Sequence, residues 1–220
     1  MVLHIAYRLP FKKWQARAED KPKLAEEQKR IQAELRRRLG ILVDVVVPGK
    51  QGTTNDGNTA RTFFKESEVV AEVTGVDQGL IDALGTLLTA LTCGLAIDPK
   101  PFKHLCEQTL QLYLSKYSWF YLPVTVHKIL AHGADVIQAI ALPIGSMSEE
   151  AAEARNKDFR NYREHFTRKF SRVQTVEDTL RRLLVTSDPV ISYLRFRRHC
   201  SGDSLPPSVI SLLKAPETPK

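Results

Sequence analysis

Several groups of residues in this sequence have types and spacings that could do chemistry. Glu149, Glu150 and Glu153 open the segment SEEAAEARNKDFRNYREHFTRKF, and Lys157, Arg160 and Arg168 follow Glu153 by four, seven and fifteen residues. On a helix those intervals bring the bases onto or near the face of Glu153. A carboxylate able to take a hard divalent cation would then stand beside cations able to hold phosphate. Acids in a first helical turn are also what the helix dipole favours, and the same charges could form i, i+4 ion pairs on a solvated face. Upstream, NDGNTAR is a Gly-flanked loop leading into a helix, where backbone N–H groups can meet a phosphate and Arg61 can add a charge-assisted bond. A turn capped by an asparagine accounts for the same Asn and Gly but leaves Arg61 unexplained. His127 and His132 form H-x4-H, a spacing found in zinc sites. Five residues of ideal helix turn through about 500°, which would put the two rings on different faces. Cys93, Cys106 and Cys200 are widely spaced, with no C-x-x-C, and read as reduced packing residues.

Charge placement narrows the partner. The formal charge of the 220 residues is +7, and residues 155 to 198 hold twelve Lys or Arg against five acids, so the whole excess lies in one Arg-rich C-terminal block. Such a block suits a polyanion, because the planar guanidinium fork matches phosphate. Composition is globular, 43% hydrophobic and 26% charged, which excludes collagenous or largely disordered classes. No apolar run approaches the roughly 18 to 20 residues that span a bilayer, and the opening MVLHIAYRLPFKKW is too short and interrupted for a secretory signal. The reading is a soluble, unexported chain with no membrane partner.

The elements that must position these residues are helical. Residues 22–39 carry Leu24, Ile31 and Leu35 at helical spacing and stop at Gly40. The run ILVDVVV reads as a short extended stretch before a loop, after which Asn58 or Asp56 caps a helix holding Arg61, Phe63 and Phe64. GLIDALGTLLTALTCGL has the pattern of a buried helix, Pro99 and Pro101 open another that runs to about Tyr117, and VTVHKILAHGADVIQAIAL gives one more before Pro143. Ser148 reads as the N-cap of about 23 residues of helix, and Thr175 as the cap of VEDTLRRLLV, with Ser187-Asp188-Pro189 interrupting it. The divisions expected are 1–145 as a helical region with the H-x4-H segment, 146–200 as the Glu-bearing and basic helices, and 201–220 as a mobile Pro- and Ser-rich tail.

Five segments, in one order and with natural spacing, carry a resemblance: WQARAEDKPKLAEEQKRIQAELRRRLGILVD, TTNDGNTARTFF, PVTVHKILAHGADVI, LPIGSMSEEAAEARNKDFRNYREHFTRK and VEDTLRRLLVTSDPVIS. Together they resemble the C-terminal part of Transib-type transposases and of their relative, the catalytic subunit of the V(D)J recombinase, over roughly residues 7 to 195. The resemblance implies a mainly α, bundle-like segment: a zinc-region insertion, the helix of the catalytic Glu and the C-terminal helices of a ribonuclease-H-like transposase, without its sheet.

The family cuts DNA by nicking and hairpin formation, with two Asp and one Glu holding two divalent ions, Mg²⁺ or Mn²⁺. Its Glu lies three residues before the Asn of an NK pair, which here makes Glu153 the catalytic and metal-binding match, followed by Asn156 and Lys157. SEEAAE is one residue longer than the shortest family form, so Glu149 and Glu150 are alternative matches. Asn58 and Arg61 match the family segment that approaches DNA near the cleavage site, while the base that often follows the Arg is replaced by Thr62. His127 and His132 match two ligands of a structural zinc whose other ligands are a C-x-x-C pair absent from this chain. Both catalytic Asp positions precede the matched region, so the chain is expected to be incomplete as an enzyme when alone. The partners implied are DNA, contacted through Asn58, Arg61, Lys157, Arg160, Arg163 and Arg168, and a second copy or a full-length transposase, in the nucleus. The competing reading is a domesticated helical protein-interaction module without catalysis. Unpaired Arg160, Arg163 and Arg168 would favour DNA binding; matching acids would favour packing.

Overall fold

A computed structural model describes residues 1–46, 53–147, 149–191 and 205–215, the side chains of residues 150–152 and 154 excepted. The chain is mainly helical and divides into two compact units, Met1–Ser146 with Ser208–Lys220, and Met147–Pro207. Among the described residues no helix is long and apolar enough to cross a membrane.

The larger unit begins with α1 (Val2–Ala6), whose Ile5 and Ala6 are fully buried. Helix α2 (Lys21–Leu39) buries Ile31 and Leu35 four residues apart and ends at Gly40, whose φ of 69° lets its N–H reach the Arg36 carbonyl. Next come α3 (Gly57–Lys65), α4 (Ser67–Thr74), α5 (Gln78–Thr92), α6 (Pro99–Tyr117) and α7 (Val124–Ala139). Short carboxylates start several of them: Asp56 accepts from the Thr59 N–H, Asp77 from Leu80 and Asp98 from Lys100. Asp77 also receives the Lys116 ammonium, and its own N–H donates to the Tyr117 hydroxyl at 2.8 Å, which fastens the start of α5 to the end of α6. Helix α5 lies between α4 and α6, and α6 packs in turn on α7. Phe102 is fully buried there, 3.1 Å from where a Cβ on Gly133 would sit, so a small residue in α7 makes room for the ring.

Two expectations are corrected in this unit, and one choice between alternatives is made. The β-branched run after Gly40 forms no strand among the described residues; it makes one isolated bridge, Val46 with Thr53. Ile41 and Val43 point into the core, but Asp44 turns the chain at φ 52°, held by the Tyr7 hydroxyl at 2.9 Å and by Asn55, and no neighbouring strand completes a ladder. The tail is not mobile where it is described. Val209 and Leu212 are buried, α10 (Pro207–Ile210) forms, the Asp98 N–H donates to the Leu212 carbonyl at 2.8 Å, and the Lys214 N–H donates to that of Ala96 at 2.9 Å. Its Pro and Ser content masked the two apolar side chains that dock it. Of the two cap candidates for α3, Asp56 is the one used.

The smaller unit is a hairpin of α8 (Glu150–His165) and α9 (Arg172–Thr186). Helix α8 has 16 residues, shorter than the 23 expected, and Ser148 lies outside the described residues. It stops because the Arg168 N–H is diverted from the helix ladder to Asp178. Helix α9 starts at Arg172, and its cap is Ser171, four residues before the expected Thr175; Ser171 stands in extended conformation and accepts from the Gln174 N–H. The interruption at Ser187-Asp188 is present, and Asp188 accepts from the N–H groups of Val190 and Ile191.

Candidate nucleic-acid interface

The hairpin is held by an arginine that spacing did not single out. Arg155 donates from its guanidinium to the Thr186 hydroxyl at 2.8 Å, the Leu183 carbonyl at 2.9 Å and the Ser187 hydroxyl, so it closes the C-terminal end of α9. Arg182 does similar work on the other helix. Its guanidinium lies 4.9 Å over the Phe166 ring, and Nε donates to the Phe166 carbonyl. With Arg155, Phe159, Tyr162 and Phe166 on one side of α8, Glu153, Lys157 and Arg160 occupy the other, Asn156 and Arg163 stand at the edge between them, and all five are exposed.

The acids of the block are already engaged. Asp158 pairs with Arg155 at 3.6 Å, Glu164 with Arg160 at 3.4 Å, Glu177 with Arg181 and Asp178 with Arg168, while Asp188 caps the next turn. Two of the three discriminating arginines, Arg160 and Arg168, therefore have acidic partners. Arg163 has none among the described residues, and neither do Lys157, Lys169 and Arg172. Arg163 lines two adjoining surface clefts, one shared with Arg160 and Lys169 and the other with Arg172, where α8 ends and α9 begins. Lys169 and Arg172 were not singled out from the sequence as DNA contacts. Lys169 fell within the 23 residues of helix expected from Ser148, and placing the α9 cap at Thr175 left Arg172 in a loop. Arg195, Arg197 and Arg198 lie outside the described residues.

In the larger unit, Asn58 and Arg61 are brought together, with the Asn58 side-chain oxygen accepting from the Arg61 guanidinium at 2.8 Å in the first turns of α3. The turn is built from below by Asn55, which exchanges hydrogen bonds with Asp44, and Asn58 borders a shallow cleft with Thr53, Thr54, Thr59 and Thr62. The N–H groups expected to meet a phosphate there already face the Asp56 carboxylate, held below the usual carboxylate range mainly by the Thr59 N–H. An anion at this helix start would have to approach that negative charge, so Arg61 is the attractive group of the turn.

His127 and His132 lie on α7, and their rings approach edge-to-face at 5.7 Å between centroids. The expectation that five residues of helix keep them apart is therefore corrected: their side chains lean together along the helix. No three of His, Cys, Asp or Glu gather as metal ligands among the described residues, so the residues placed near the two histidines do not complete a zinc site, and those near Glu153 do not complete a divalent-ion site. Cys106 is buried against the Ile129 carbonyl, and burial pushes its thiol up to about 11, which suits an inert packing residue. Cys200 lies outside the described residues.

No protein-family model matches this chain, and no curated protein matches it.

Proposed function

We propose that this chain is a DNA-binding segment similar to the C-terminal part of Transib-type and V(D)J-recombinase-like DDE transposases, incomplete as a nuclease by itself. One observation carries the reading beyond the motif order: on the exposed side of α8, Glu153 shares a face with Lys157, with Asn156 and Arg163 along its edge, in a hairpin whose block acids are spent on other bases or, for Asp188, on a helix cap. A surface with uncompensated bases and one exposed carboxylate attracts phosphate and can add a single oxygen ligand to a divalent ion. Lys157, Arg163, Lys169 and Arg172 are the phosphate-facing groups of the hairpin, and Arg61 with Asn58 those of α3. Arg160 and Arg168 contribute less, because each is matched to an acid.

The nuclease chemistry of such enzymes runs on a pair of Mg²⁺ or Mn²⁺ ions, to which this chain brings Glu153 and no counterpart of the two Asp. Zinc enters only as a proposal by resemblance for His127 and His132, with both remaining ligands to be supplied from elsewhere. Nuclear location and assembly with a second copy or a full-length transposase belong to the same reading. The test is complementation. A family fragment carrying the sheet and its two Asp, added with Mg²⁺ and a terminal-repeat duplex, gives cleavage with the wild-type chain and none with Glu153→Gln. Cleavage unchanged by Glu153→Gln would overturn the assignment of Glu153.

A second reading, a helical protein-interaction module without catalysis, is favoured by one observation of its own. Arg160 and Arg168 are paired with acids, and α9 leaves large apolar side chains exposed.

A further inference from the structure

The turn between α8 and α9, residues 166–171, ends in a serine set among bases. Ser171 is exposed, stands in extended conformation and accepts from the Gln174 N–H at 3.2 Å, and Phe170 before it is 92% exposed. Arg168 and Lys169 stand three and two residues ahead of it and Arg172 follows, which gives Arg-Lys-Phe-Ser-Arg. Basophilic protein kinases select their substrates by such charge patterns, holding the base three residues ahead in an acidic cleft while the hydroxyl meets the γ-phosphate of ATP. Arg172 stands in the same relation to Thr175, but that hydroxyl lies within α9 and donates to the Ser171 carbonyl at 2.9 Å. Of the two, Ser171 is the accessible acceptor. The Arg168 side chain is held by Asp178 on an open surface, so a kinase cleft competes with one carboxylate for it.

We propose that Ser171 is a phosphorylation site, and that its phosphate turns off the DNA surface of the hairpin by engaging the bases that would otherwise hold the duplex. The consequence rests on the DNA-binding reading; the site itself does not. The γ-phosphoryl group of ATP passes to Ser171 Oγ, the hydroxyl proton leaves, and ADP departs. The product carries a charge of about −1.5 to −2 and three acceptor oxygens. It sits where the first N–H groups of α9 point outward and the helix dipole favours an anion. Arg163, Lys169 and Arg172 have no acidic partner among the described residues and line the two clefts that adjoin this turn. The acid that borders those clefts, Glu164, is already matched to Arg160 at 3.4 Å. An added phosphate therefore enters an uncompensated positive field and neutralises about two bases of it.

The full chain is treated with cyclic-AMP-dependent protein kinase, ATP and Mg²⁺, and the modified residue is mapped by mass spectrometry. The wild type is expected to take a phosphate at Ser171. Ser171→Asn keeps a side-chain oxygen for the Gln174 N–H but has no hydroxyl, so it holds the cap and takes none there. In fluorescence anisotropy at about 100 mM salt, the phosphorylated chain binds duplex DNA about tenfold more weakly than the unmodified one, and its salt slope is shallower by about 2. Ser171→Asn binds alike before and after treatment. Phosphorus NMR titration of the modified chain without DNA places the second phosphate ionisation below its ordinary value of about 6, because the bases and N–H groups favour the dianion. A chain left unmodified at Ser171, or an ordinary phosphate ionisation, overturns the proposal. Equal DNA binding by the two forms overturns it while leaving the DNA reading intact, whereas an unmodified chain that binds no DNA fails that reading and the switch with it.

Discussion

Asp178 of α9 receives three hydrogen bonds from a single residue: the Arg168 backbone N–H at 3.0 Å, its Nε at 3.1 Å and its terminal guanidinium nitrogen at 2.9 Å. The two residues are ten positions apart, and the arrangement both stops the α8 ladder and sets the turn that starts α9. It also removes Arg168 from the pool of bases available to DNA. Bidentate, charge-assisted contacts of this kind fix geometry as well as charge.

That contact makes the hairpin sensitive to acid in a definite window. The Arg168 side chain, and then its backbone N–H, push the Asp178 carboxyl down to about 2 from an ordinary 3.8. A depressed carboxyl contributes stability that is fully present above the unfolded-state value and is lost as pH falls through the folded one. The wild type is therefore expected to be more stable than Asp178→Asn at neutral pH, with the gap closing below about pH 4 and mostly lost by pH 2. Thermal unfolding of both proteins across that range checks it, because the other carboxylates are common to the two. A gap undiminished at pH 2 would assign the effect to packing.

The docked tail gives a second expectation. Leu212 keeps 4% exposure and its carbonyl accepts from the Asp98 N–H, and Leu212→Ala should destabilise the larger unit by about 2 to 4 kcal/mol. Urea unfolding measures it, and a loss below about 0.5 kcal/mol would show that residues 205–215 lie loosely on the surface after all.

The helices and their caps were largely legible because local chemistry determines them. Gly40 ends α2, Asp56 starts α3 and Pro99 opens α6, each for reasons contained within a few residues. What was not legible depends on contacts far along the chain. Leu212 docks against residues near 97, Arg168 finds Asp178, and Arg155 reaches Leu183, Thr186 and Ser187. The site was legible in the same proportion. The bases could be counted from the sequence, but which of them are neutralised depends on acids brought in from another helix. Val173 and Val176 at i, i+3 before Leu180 could have shown the exposed apolar side of α9, had its cap been placed at Ser171.

Glu153 separates binding from chemistry. The chain alone is expected to give no metal-dependent nicking or hairpin formation, since one carboxylate does not hold a metal pair. Glu153→Gln should bind duplex DNA as well as the wild type or slightly better, because it removes a negative charge from the phosphate-facing side. Gel-shift titration in Mg²⁺ checks this, and a tenfold loss of binding would mark Glu153 as a structural residue.

The most direct test of the account is the salt dependence of duplex binding, followed by fluorescence anisotropy between about 50 and 200 mM salt. Each phosphate neutralised contributes about −0.9 to the slope of log K against log salt. The four phosphate-facing bases Lys157, Arg163, Lys169 and Arg172 predict a slope of about −3 to −4, reduced by about 2 in Lys157→Ala/Arg163→Ala and changed little in Arg160→Ala. Absence of binding at low salt, or binding indifferent to salt and to the double substitution, would contradict the claim that this surface holds DNA.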